Sequence, residues 1–194
     1  SSRVAAEGLV AVATSEGKGV AVEVNSETDF VAKNSDFQEM VKAIATAALD
    51  VSNTDELASA SIDGKTVADT LTDNIAKIGE NMTLRRMQTI EAERVVTYVH
   101  NSATQDMGQI GVLVAINGDN TEFARQVAMH VAAANPQALS AAELDQSIVE
   151  REKNILTEQA RESGKPEQVI EKMIQGRMKK FLAEVTLLGQ DFVI

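Results

Sequence analysis

Cysteine is missing from all 194 residues, which excludes disulfides, cysteine-ligated zinc and thiol catalysis and fits a reducing compartment. Tryptophan is missing too, and one tyrosine leaves few aromatic platforms on which bases could stack. Basic side chains are the third shortage. The 18 Lys and Arg stand against 29 Asp and Glu, a formal net charge of −11, which weighs against a partner held chiefly through its phosphates. Direct nucleic-acid binding is therefore not expected. No apolar run reaches the roughly eighteen uncharged residues of a membrane span, and "SSRVAAEGLV" lacks the basic-then-apolar order of a secretory leader. A soluble, intracellular protein with no membrane partner is expected.

What is present is a 44% apolar composition with a mean hydropathy of −0.11, enough to bury a core in one domain or two small ones. Alternating runs "GLVAVATS" and "GVAVEVNS" flank "EGKG", so residues 8–26 are expected to form a β-hairpin with both glycines serving the turn. "SEGKGV" is not a phosphate loop, because Lys18 is followed by Gly19 rather than Ser or Thr and no glycine stands five residues before Gly17. In "FQEMVKAIATAAL" the apolar positions Phe37, Met40, Val41, Ile44 and Ala48 recur at helical spacing, with Ser35 and Gln38 as an expected capping box. Residues 53–65 read as loop with room for one short helix, and "VADTLTDNIAKIG" as a helix stopped by Gly79. Two β runs about Glu91–Arg94, a loop at "SATQDMG", a further β run "QIGVLVAIN" and a helix "EFARQVAMHVAAA" follow, the last ending at Asn135 and Pro136.

A weak internal repeat links two strand-to-helix units: "GVAVEVN" lies over "GVLVAIN", and "FQEMVKAIATAA" over "FARQVAMHVAAA". Gly19 to Phe37 spans 18 positions and Gly111 to Phe123 spans 12, so the first unit carries six extra residues, within "SETDFVAKN". Two readings of Phe30 in that stretch stand open. It is either a surface aromatic that anchors a partner, or a lid folded back on the helix with Ser26 and Asp29 as a further capping box. Composition alone favours the lid.

From Glu143 to Val185 the chain reads as a helical hairpin broken at "ESGKP", its seam formed by Leu144, Ile148 and Ile155 against Val169, Met173, Ile174, Met178, Phe181 and Val185. It serves either as a solvated arm or as a partner-binding one, the first being the default. His130 shares the stripe of Phe123, Val127 and Val131 and reads as structural; His100, in "TYVHN" at an expected strand end, reads as a bystander when taken alone.

Five blocks, "EVNSETDFVAKN", "KIGENMTLRR", "IGVLVAINGDN", "VAMHVAAANP" and "SGKPEQVIEKMIQGRMKKF", resemble bacterial-type elongation factor Ts in order and spacing, across essentially the whole chain. The resemblance implies an α+β fold: two related small antiparallel-sheet-plus-helix subdomains, at residues 1–92 and 93–142, and an antiparallel coiled-coil hairpin with the start of a return segment at 143–194. It implies a guanine nucleotide exchange factor for elongation factor Tu, in the bacterial cytoplasm or an organelle matrix, with no catalytic chemistry and no cofactor of its own. The implied partner-binding residues are Thr28, Asp29, Phe30 and Val31, with Asp29 and Phe30 entering the GTPase near its magnesium and phosphate site, together with Ile78, Gly79 and His100. Relative to the family pattern the chain begins at the core, without the usual N-terminal helical module, and stops at "GQDFVI" before the usual closing strand and helix. That end is expected to leave a sheet edge open in the second subdomain, a route to a homodimer.

Two rivals belong to other classes. An enzyme acting through Glu27, Asp29 and His100 would lack a recognisable nucleophile or phosphate loop. A non-catalytic interaction module would act through the helical hairpin, and no His/Asp/Glu group has metal-ligand spacing.

Overall fold

The computed structural model describes residues 3–194, and the first alternating runs form an antiparallel hairpin of β1 (Glu7–Ser15) and β2 (Lys18–Ser26). Ser15 pairs with Lys18, so the loop is Glu16–Gly17 alone, and Gly17 takes the positive φ of 72° that the reversal needs. The reading that puts both glycines in the turn is corrected at Gly19. It lies within β2, where an added Cβ would come within 2.5 Å of Val95 Cγ1.

Helix α1 (Ser35–Ala48) follows, with Phe37, Met40, Val41, Ile44, Ala45 and Ala48 buried. Its cap is Asn34 rather than Ser35: the Asn34 Oδ1 accepts from the Phe37 N–H at 3.0 Å, and Gln38 donates instead to the Ala32 carbonyl at 2.8 Å. No basic residue stands in the last turn of α1, and Lys18 of β2 supplies one, its Nζ donating to the Leu49 carbonyl at 2.7 Å. The lysine that mimics a phosphate loop is thus occupied in closing a helix.

The segment expected to be mostly loop contains α2 (Thr54–Ser59), capped by Asn53, and the two-residue strands β3 (Ser61–Ile62) and β4 (Lys65–Thr66). Helix α3 (Val67–Ile78) ends where its periodicity stops, with Gly79 in the left-handed conformation at φ 84°. Strands β5 (Met82–Glu91), β6 (Arg94–Thr104) and β7 (Met107–Ile116) complete an antiparallel five-stranded sheet in the order β5-β2-β1-β7-β6, and α4 (Thr121–Ala134) follows. The expected loop at "SATQDMG" is mostly strand. The ladder shifts register between Ser102 and Thr104, and Asn101 adopts φ 53°, so the polar residues mark an irregularity within β6 rather than its end.

The core lies between α1 and one face of β1 and β2. Val20, Val22 and Val24 alternate toward it, Leu9 and Ala11 join from β1, and Leu57 and Val67 close it from α2 and α3. The strands of the two expected core subdomains share one sheet across a short ladder, β1 pairing with β7 at Val10↔Gly108 and Ala11↔Met107, with the Val12 N–H donating to the Asp106 carbonyl at 3.0 Å just beyond it. The proposed boundary at residue 92 falls in the β5–β6 turn. By contact density the chain divides into a compact unit that ends at Ala132 and another from Ala133 to Ile194.

The second unit holds the helical hairpin, α5 (Gln146–Glu162) and α6 (Glu167–Val185), with Asp145 capping the first helix through the Ser147 N–H at 2.9 Å. Its tightest helical positions are Ala160 and Ile170. Ile155 and Val169, expected in the seam, are instead 43% and 42% exposed. Ile155 lies five positions from Ala160 and Val169 one from Ile170, about 140° and 100° around their helices, so in each pair the two side chains face different directions. None of the described helices is long and apolar enough to cross a membrane.

Candidate functional site

The connection from β2 to α1 is built as a braced turn. After the buried Ser26, whose hydroxyl donates to the Thr28 carbonyl at 2.9 Å, Asp29–Lys33 form a short 3-10 helix closed by the Asn34 N–H on the Val31 carbonyl at 2.9 Å. Three residues per turn send consecutive side chains to well-separated directions. Val31 points into the core at 4% exposure and Phe30 stands 76% exposed beside it. This excludes one of the two readings of Phe30. The lid is absent, because Val31 occupies the inward position and Phe30 is carried out by the turn. The Ser26–Asp29 capping box is absent as well, Thr28 being the cap residue of the turn without a side-chain cap bond.

The Thr28 hydroxyl is engaged elsewhere, and it leads to a residue that sequence reasoning missed. Glu80, just beyond Gly79, accepts the Thr28 Oγ1–H on Oε2 at 2.7 Å, and the Thr28 and Glu27 N–H groups on Oε1 at 2.9 and 3.1 Å. Glu27 answers with Oε2, which accepts the Asn81 N–H at 2.6 Å, while its Oε1 lies 3.4 Å from Arg3 Nε. The Thr28 hydroxyl contributes most to holding the Glu80 carboxyl below its ordinary range; partial burial opposes this, and the two N–H groups and Arg3 add to the lowering. Glu27 and Glu80 are 53 positions apart, so no local spacing announces the pair; only the presence of Glu80 in "KIGENMTLRR" hinted at importance.

Through this bracing the turn that bears Thr28, Asp29 and Phe30 is tied to the α3–β5 connection, which begins at Gly79 directly after Ile78, the last residue of α3. Thr28, Asp29, Phe30 and Gly79 are exposed and Ile78 is half-buried. Val31 serves the core. His100 is half-buried within β6, its seventh residue of eleven rather than its end, paired with Ile110 and with Nδ1 3.1 Å from Tyr98 Oη. A groove of about 610 Å³ runs beside the turn, with Asp29 and Lys33 on one wall and Asn101, Ser102 and Gln109 on another, so the residue after His100 lines it while His100 does not. His130 is buried at 1% exposure, whereas Phe123, expected on the same buried stripe, is 53% exposed at the first turn of α4. Among the described residues no group of three His, Cys, Asp or Glu could hold a metal ion.

What this arrangement offers is an exposed aromatic side chain next in sequence to a carboxylate, on a backbone hydrogen-bonded through Glu80 to a second exposed segment. The family model described as Elongation factor TS matches residues 27–194. Proteins named Elongation factor Ts from Ruegeria sp. and Ruegeria pomeroyi are 67% and 66% identical over 194 residues, and one from Paracoccus denitrificans is 62% identical over 198 residues. In each case 100% of this chain is covered and 67% of the relative, so the chain spans about two thirds of their length.

Proposed function

The chain belongs to the elongation factor Ts family, and from that we propose that it is a guanine nucleotide exchange factor that binds elongation factor Tu and promotes release of GDP. The observation that carries the reading is the 76% exposure of Phe30 on a turn whose neighbour Val31 is anchored in the core. An exposed aromatic held in one place loses little freedom on docking and supports a wedge. Phe30 enters between side chains of the GTPase near its magnesium and phosphate site, and Asp29 orients it by hydrogen bonding at the partner's surface. Ile78, Gly79 and His100 add contacts.

No covalent bond is made or broken in this scheme. Binding energy at the interface is coupled to weaker holding of the nucleotide, and reciprocity requires that nucleotide weaken the protein complex by the same factor. The chain then needs no acid, base or metal of its own, and the place of action is the bacterial cytoplasm, where the GTPase cycles.

The test is release of labelled GDP from a cognate Tu-type GTPase with and without this chain. Acceleration that saturates with added chain is expected. Association without acceleration, lost when residues 143–185 are deleted and unchanged by Phe30→Ala, would instead establish an interaction module acting through the helical hairpin, whose Ile155 and Val169 are exposed.

A further inference from the structure

Strands β2 and β5 pair as far as Ser26↔Met82, and beyond that point the ladder ends. The next backbone donors, Glu27 N–H, Thr28 N–H and Asn81 N–H, find no strand partner there. Two carboxylates take them over, in opposite directions. Glu80 collects the first two and the Thr28 hydroxyl, and Glu27 collects the third. Asn81 Nδ2 also donates to the Arg3 carbonyl at 3.3 Å. The side chains thus extend the β2–β5 register past its last backbone pair, up to the residue that precedes Asp29.

Thr28 and Asn81 are exposed, so water can serve their N–H groups when the crosslink is lost. What the crosslink does fix is geometry: the position of Asp29–Phe30 relative to Ile78–Gly79. We infer that Glu80 is a positioning residue, which pre-organises the Phe30 turn against the Ile78–Gly79 segment so that both meet the GTPase as one surface. The inference rests on the exchange reading above and extends it to a residue outside the Asp29–Phe30 pair, bonded to Glu27 and Thr28. Without Glu80 the free chain samples several turn conformations, and the apparent affinity falls in proportion to the competent fraction. The complex, once formed, is unchanged. Loss of Glu80 therefore raises the concentration needed for half-maximal GDP release without lowering the rate at saturation.

The experiment measures stimulated GDP release against chain concentration for the full chain and for Glu80→Ala, Glu80→Gln, Thr28→Val and Phe30→Ala, with denaturation midpoints and amide exchange of the free proteins. Glu80→Ala is expected to raise the half-saturating concentration by roughly tenfold, the scale of losing charge-assisted hydrogen bonds. Its saturating rate stays within about twofold, and the Glu27 and Thr28 amides exchange faster. Glu80→Gln restores most of the affinity, since its carbonyl oxygen accepts both N–H groups and its amide donates to the Thr28 hydroxyl oxygen. Thr28→Val, which deletes one bond, gives a rise of about threefold together with faster exchange of the Glu27 and Thr28 amides, and if Glu80→Ala does not fold that joint result decides the question, a rise with the amides still protected counting against the inference.

Faster amide exchange in Glu80→Ala with unchanged half-saturation would overturn the inference. So would a Glu80→Gln protein that keeps its amides protected and yet stimulates as poorly as Glu80→Ala, because the charge itself would then be in use. If Phe30→Ala is impaired while Glu80→Ala and Thr28→Val are normal, only the role of Glu80 falls. If Phe30→Ala keeps both parameters, the wedge reading falls and the role of Glu80 falls with it.

Discussion

The units β2–α1 and β7–α4 are two versions of one design. Each runs from a strand into a helix capped by asparagine: Asn34 Oδ1 takes the Phe37 N–H at 3.0 Å, and Asn120 Oδ1 takes the Phe123 N–H at 3.2 Å. The six extra residues of the first unit divide between two places. β2 continues two residues further beyond Gly19 than β7 does beyond Gly111, and the connection holds eight residues (27–34) against four (117–120). The second connection turns the chain with one long side-chain bond to the β5–β6 turn, from the Gly118 N–H to Glu93 Oε2 at 3.4 Å. The first buries Val31, exposes Phe30 and is crosslinked to a neighbouring connection through Glu80. The helix phenylalanines differ in the opposite sense, Phe37 being fully buried and Phe123 53% exposed. Equivalent positions in the repeat therefore do not have equivalent work. In the first unit the helix aromatic holds the core and the inserted aromatic faces outward.

The largest expected effect sharpens that contrast. Phe37→Ala should lower stability by about 3–5 kcal/mol, the usual result of removing a fully buried phenylalanine, and Phe123→Ala by about 1 kcal/mol or less. Urea midpoints of the two variants check it, and equal losses would show that the repeat is symmetric in energy despite its asymmetry in burial.

Next come the caps, where the two units should agree. Asn34→Ala and Asn120→Ala are each expected to lose about 1 kcal/mol, because each leaves one helical N–H without its side-chain acceptor. Thermal unfolding of the single and double variants measures this, and additivity within about 0.5 kcal/mol is expected for sites in separate helices.

The smallest effect is a pH dependence confined to the first unit. The Glu80 carboxyl, held below its ordinary value of about 4.5, binds protons less readily in the folded than in the unfolded chain. Its stabilising contribution is therefore fully present above that ordinary value and is lost as pH falls through the lower folded one. The stability difference between the native chain and Glu80→Gln should shrink on acidification below about pH 4.5 and stay flat from there to neutrality. A gap that widens toward acid would contradict the assignment.

Much of this was readable from residue order. Gly79 stops α3 where the periodicity ends, the α1 stripe is the buried one, and the length difference between the repeats pointed to the stretch that bears Phe30. Other features depend on relations that no short window contains. The α1 cap moved by one residue because Ser35, Asn34 and Gln38 offer competing local bonds, and tertiary placement of Gln38 on Ala32 decided among them. The end expected for β6 at Asn101 proved to be an irregularity within a longer strand, since a polar residue at positive φ signals either. Whether Phe30 faces in or out depended on Val31 winning the inward position, and the Glu27–Glu80 exchange joins residues far apart in the chain.

The central claim is that Phe30 acts on a partner and not on the fold, and paired measurements on Phe30→Ala test it most directly. Denaturant midpoint and stimulated GDP release are read on the same samples. The account predicts a stability change within about 0.5 kcal/mol, together with a loss of stimulation on the order of thirtyfold to a thousandfold, the range of a truncated interface aromatic. A loss of several kcal/mol of stability, with GDP release normal for each folded molecule, would contradict it.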